Sequence, residues 1–155
     1  ASLQRRSEVE TVASHIDGAP PTPWLQVMEE ATHLAAAGKM IAGAALFQAG
    51  MRQAASQRER FNWRLQQARF CFEAGAFEVA IPQLEFLQEQ GERFALDEWE
   101  PALSLEMVQL LLQCYYTYMQ RTKKPTTEML EKAERLHVRL CRLDVAAALS
   151  MNEKS

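Results

Sequence analysis

The chain has 155 residues, 48% hydrophobic and 24% charged, with a net charge of −3. That length suggests one domain with a real core, and the acidic balance argues against nucleic acid as the main partner, because phosphate recognition wants a basic face. No run approaches about 18 consecutive apolar residues, so no membrane insertion is predicted. The cysteines Cys71, Cys114 and Cys141 each sit in an apolar helical run and read as reduced, buried small hydrophobes of a cytosolic protein.

The chain begins Ala-Ser-Leu-Gln-Arg-Arg, without Met, and reads as a piece cut from a longer protein. Residues 1–22 are polar and run into Ala19-Pro20-Pro21-Thr22-Pro23. Those prolines predict a stiff interdomain linker after a disordered start, with room for a short helix within 3–16. The helical domain is expected over 23–150.

The first helix begins at Pro23, with Thr22 as its N-cap. Leu25, Met28, Ala31 and Leu34 form its apolar stripe, and Gly38 ends it. A second helix over 41–55 carries Ile41, Ala44, Phe47 and Met51. Its Gly43, Ala49 and Gly50 leave room for close approach by another helix. A third, over 57–74, has a wide apolar face including Phe61, Trp63, Leu65, Ala68 and Phe72, and Gly75 stops it. A fourth, over 77–90, carries Phe77, Ala80, Ile81, Leu84 and Leu87, tolerates Pro82 near its first turn and is closed by Gly91.

Glu100 precedes a proline and is pushed out of helical geometry, so the fifth helix starts at Pro101 and runs to about Met119. From Met107 to Met119 it is apolar nearly all round. Such a helix is central, or is covered on its far side by a partner. Residues 121–127 make a turn, a last helix spans 127–149, and 151–155 form a flexible polar tail. No strand is expected. The fold class is all-α: stacked antiparallel helical hairpins of tetratricopeptide-like type, about six helices and no sheet.

The hairpins are related. Ala31-x-x-Leu34-x-x-Ala37-Gly38-x-Met40 aligns with Ala68-x-x-Cys71-x-x-Ala74-Gly75-x-Phe77, and the match continues through Ala44/Ile81 and Phe47/Leu84. One such hairpin cannot bury its own apolar face and has to stack on a neighbour. Chains built this way mostly hold other proteins.

Charge is segregated along the chain. Residues 52–69 carry five arginines against Glu59, residues 73–106 nine acids against Arg93, and residues 121–142 seven bases against three acids. These runs are read first as solvated faces, partly paired within the domain, and second as surfaces of different copies that meet.

Catalytic chemistry is not found. There is no Gly-rich phosphate loop, Cys-x-x-Cys, His-Glu-x-x-His or Gly-x-Ser-x-Gly. His15 lies in the linker. Glu29 and His33 at i, i+4 lack a third ligand, and His137 reads as a packing residue. Neither a metal nor a cofactor is expected, and the protein is read as no enzyme. The aromatic residues say more. Trp24, Trp63 and Trp99 fall near helix starts or turns, and Trp99 is the best candidate for an interface anchor.

The phrases Phe61-Asn-Trp63-Arg-Leu65-Gln-Gln-Ala68-Arg-Phe-Cys71-Phe-Glu73-Ala-Gly75, Ala80-Ile-Pro82-Gln-Leu84-Glu-Phe-Leu87 and Leu96-Asp-Glu98-Trp99-Glu100-Pro101-Ala-Leu103-Ser-Leu105-Glu106 resemble the C-terminal region of VasJ-type TssA proteins of the bacterial type VI secretion system. Leu140-Cys-Arg-Leu143-Asp144 and Ala146-Ala-Ala-Leu149 resemble the end of that region. The resemblance runs over roughly residues 24–150, and Glu98-Trp99-Glu100-Pro101 is its most specific part.

The resemblance implies a non-enzymatic, cytoplasmic bacterial assembly factor. Members form rings or multimers through this region and coordinate the baseplate, the tail sheath and its inner tube. The expected partners are therefore copies of the chain itself and type VI baseplate, sheath and tube proteins. Trp63, Glu98, Trp99 and Pro101 fall on the matching phrases, and Tyr115 and Tyr118 on the over-apolar helix; these are the candidate interaction residues. The competing expectation is a monomeric helical-repeat adaptor that captures a partner peptide or helix in a groove.

Overall fold

Glycines in the left-handed region set the register of the chain. Gly38 has φ 80° and Gly75 φ 82°, a conformation glycine adopts without a Cβ penalty. The two turns use matching hydrogen bonds. Lys39 N–H donates to the Leu34 carbonyl at 2.8 Å, and Ala76 N–H to the Cys71 carbonyl at 2.8 Å. Both are the six-to-one closure of a helix C-terminus, and they lie 37 residues apart, as the internal repeat requires.

The computed structural model describes residues 23–154. The linker expected at 1–22 lies outside the described residues. Among those described there are eight helices and no strand: α1 (Pro23–Ala36), α2 (Met40–Gln53), α3 (Gln57–Glu73), α4 (Phe77–Arg93), α5 (Leu96–Trp99), α6 (Pro101–Thr122), α7 (Thr127–Leu143) and α8 (Val145–Lys154). The class is all-α, as expected, but the count exceeds about six for two reasons. A one-turn helix, α5, sits where only a turn was expected. The last helix breaks at Asp144, whose extended backbone (φ −159°, ψ 105°) ends α7, while its carboxylate accepts from Ala147 N–H at 3.0 Å and caps α8.

Two further boundaries differ from expectation. Gly91 does not close the fourth helix. It is buried inside α4, where a Cβ would come within 3.7–3.8 Å of Leu96, Met107 and Arg139. Helical residues also continue past 151, with Met151 buried, so the tail expected there begins as part of α8.

Each helix packs on the next in sequence, and α1, α3 and α6 also touch in turn. This is a stack of hairpins α1–α2, α3–α4 and α6–α7. The repeat positions point into it: Ala31, Phe47, Ala68, Ala80 and Leu84 are all fully buried. Gly43, the counterpart of Ala80, lets α2 approach the backbone of α1, since a Cβ there would lie 3.0 Å from the Ala31 carbonyl oxygen. Gly50 faces a side chain instead: the Trp63 indole fills the space its Cβ would take.

The over-apolar helix, α6, is the centre of the stack, touching α3, α4, α5 and α7. Met107, Val108, Leu112 and Cys114 are fully buried, and Leu111 and Tyr115 nearly so. Its greasy circumference is therefore covered within one chain.

The charge runs also find one another within the chain. Arg58 meets Glu100 at 2.5 Å and Arg69 meets Glu106 at 3.0 Å, joining the first basic run to the acidic one. Lys132 meets Glu85 at 2.9 Å and Arg139 meets Asp97 at 2.7 Å, joining the second.

Candidate interaction surface

The helix α5 is made by its surroundings. Ala95 takes the left-handed conformation (φ 51°), unusual for a residue with a Cβ. It lets the chain leave α4 and make one turn before Pro101 starts α6. A polar clamp then holds that turn. Asp97 receives Arg139 Nη2 at 2.7 Å and Nε at 3.2 Å, and also accepts from the buried Ser104 hydroxyl. Arg139 further donates to Gln88 Oε1 at 2.5 Å and to Ser104 Oγ at 3.0 Å. The Arg139 hydrogen bond, helped by Ser104 and by the guanidinium charge, holds the Asp97 carboxyl below its usual range against the opposing effect of burial.

Beyond the clamped Asp97, the phrase carries an exposed ring. Trp99 is 78% exposed, and Phe94 and Phe86 are exposed beside it. These rings line a groove of about 380 Å³ between α3, α4, α5 and the start of α6, with Phe61, Leu96 and Leu103 as its floor. Its rim is basic, formed by Arg58, Arg60 and Arg64. Arg64 lies over the Phe86 ring at 4.9 Å, a cation–π contact, and Arg58 is engaged by Glu100. Aromatic rings with arginines in a concave patch are the composition in which binding energy concentrates.

The candidate residues fall into two groups. Glu98, Trp99 and Pro101 are exposed, and of these Trp99 lines the groove. Trp63 and Tyr115 are not available: both are buried, Trp63 edge-on to Trp24 and Phe47, Tyr115 inside α6. Periodicity shows that a residue lies on an apolar face but not that the face is covered. Tyr118 is half-buried, its ring edge-on to Phe77 at 6.3 Å. Phe86, Phe94, Arg60 and Arg64 were missed. Phe86 breaks the Ile81/Leu84/Leu87 stripe of α4, and that was the one signal available for it.

No group of three or more His, Cys, Asp or Glu residues could hold a metal among the described residues. Burial raises the Cys71 thiol and pushes that of Cys114 up to about 12, against the charge of Arg69, so neither is a ready nucleophile. Cys141, expected to be buried, is exposed on α7. No described helix is long and apolar enough to cross a membrane. A second hollow of about 280 Å³ between α3, α6 and α8 is polar, lined by Gln109, Gln113, Thr117 and Gln120 with the paired Arg69 and Glu106.

A family model described as "Type VI secretion, EvfE, EvfF, ImpA, BimE, VC_A0119, VasJ" matches residues 5–111. The match starts inside the stretch read as a linker and ends within α6. A solved structure described as "EAEC T6SS TssA-Cterminus" is similar at 27% identity with a TM-score of 0.69, over 79% of this chain and 92% of that one. No curated protein matches the chain.

Proposed function

The chain belongs to the VasJ-type TssA family of type VI secretion proteins, and from that premise we propose that it is a non-enzymatic scaffold domain that binds copies of itself and helps assemble the baseplate, tail sheath and tube on the cytoplasmic side. The exposed Trp99–Phe94–Phe86 groove supports this reading most. Trp99 is exposed two residues after the clamped Asp97, and large aromatic rings left in water in a concave patch favour a protein partner. The completeness of the core narrows the reading: the apolar face of α6 is buried within the chain, whereas the groove is open to a partner.

The polar hollow between α3, α6 and α8 favours a second reading, a monomeric adaptor that takes a peptide along its glutamine-lined side. Light scattering on the protein across the micromolar range separates the two. A mass of several chains is the expected result. A single-chain mass throughout overturns the scaffold and leaves the adaptor.

A further inference from the structure

A second surface lies across α4 from the groove. Phe86 and Gln90 of α4 line the groove, whereas Glu85, Gln88 and Glu89 face α7. Inward, α7 packs through Ala133, Leu136 and Leu140. Outward, it presents Leu130 at 50% and Val138 at 48% exposure, with exposed Glu131 and Glu134 between them. Residues 130, 134 and 138 follow at four-residue spacing and so form one ridge, with Glu131 beside it. Arg135 lies at its edge, shared with the hollow between α4 and α7.

The ridge and the groove are complementary. One is apolar at both ends, at Leu130 and Val138, with Glu131 and Glu134 between. The other is concave, apolar in its floor and basic at its rim. The cross-helix ion pairs use Arg58, Arg69, Lys132 and Arg139. Among the described residues, Arg60 and Arg64 have no carboxylate partner, and Glu131 and Glu134 have no basic one.

We propose that the α7 ridge of one copy docks into the Trp99 groove of the next, with Glu131 and Glu134 meeting Arg60 and Arg64. This rests on the self-association read above and names its two halves. Because the halves are different surfaces on opposite flanks of α4, the contact is head-to-tail and each copy keeps one free half until a ring closes. The aromatic floor supplies the attraction, and the charges select partner and orientation.

Charge reversal tests it, with masses read by light scattering and folding checked by circular dichroism. Arg60→Glu with Arg64→Glu disables the groove; Glu131→Lys with Glu134→Lys disables the ridge. Each pair weakens assembly by about tenfold or more. Mixed together, the two variants recover higher assembly with alternating chains, because an intact ridge meets an intact groove and a reversed ridge meets a reversed groove. All four changes in one chain restore higher assembly. Should Arg64→Glu lower the melting temperature through its lost contact with Phe86, Arg60→Glu alone carries the groove arm. If the wild type assembles and the variants assemble equally well, or their mixture recovers no assembly beyond that of either variant alone, the docking is overturned while the scaffold reading stands. Such a result also leaves the groove to residues 1–22 or to another protein. A wild type that stays a single chain overturns both.

Discussion

At the scale of single residues, Asp97 does more than its neighbours in the Glu98-Trp99-Glu100-Pro101 phrase. It takes two guanidinium hydrogen bonds and one hydroxyl, and so ties α5 to α6 and α7 at once. Its carboxyl is depressed chiefly by the hydrogen bond from Arg139. A depressed carboxyl favours the folded state above its unfolded value, about 3.9, and that contribution is lost as pH falls through the folded value. The wild type is therefore expected to lose more melting temperature between about pH 5 and pH 2 than Asp97→Asn, which has no proton to take up there. Thermal unfolding followed by circular dichroism over that range checks it, and parallel curves for the two proteins would remove the clamp's claimed role. Ser104, fully buried between the same partners, looks in the sequence like any small residue near a helix start. Nothing in its spacing announces that it completes a clamp.

At the scale of elements, the chain is read well where the backbone demands a particular residue and poorly where the tertiary structure decides. Pro23, Gly38, Gly75 and Pro101 each mark a helix end that follows from local geometry. Gly91 has the same identity but lies buried within α4, in ordinary contact range of Leu96, Met107 and Arg139, and the helix runs on to Arg93. The one-turn α5 has no periodicity to read and depends on Ala95 and the Asp97 clamp. The break at Asp144 was hidden for a different reason: the apolar spacing of 127–149 continues through it. Ser56 and Thr126 cap α3 and α7 through hydroxyls that accept at 3.1 Å, and Asp144 does the same for α8. Asp144→Ala is thus expected to cost about 1 kcal/mol, read from urea unfolding. An unchanged midpoint would mean that the α7–α8 break is held by packing of Ala148 and Met151 instead.

At the scale of the whole molecule, one anchor of the candidate surface was visible in the sequence and its setting was not. Trp99 stood out because it precedes Pro101 on an acidic turn. Phe86, Phe94, Arg60 and Arg64 come from three separate stretches that only the packing of α3 against α4 and α5 brings together. Trp63 and Tyr115 were also candidates and are core. Of the two readings of α6, central or covered by a partner, the structure gives the first, because its neighbours surround it. Trp99→Ala now separates assembly from folding. With the indole 78% exposed, the substitution is expected to leave the melting temperature within about 2 °C and to lower the mass seen by light scattering. An unchanged mass would leave the indole without a part in assembly.

The order in which the helices touch has one more consequence. Every helix lies against the one made just before it, and the longer reaches, α1 to α3 and α3 to α6, skip only a step or two. Few distant ends have to find each other, so little loop entropy is spent before contacts form. The chain can therefore fold hairpin by hairpin as it leaves the ribosome. The groove comes into being only when α5 and the start of α6 emerge, and the ridge on α7 only after that. A nascent copy is thus able to receive a neighbour before it can be received by one.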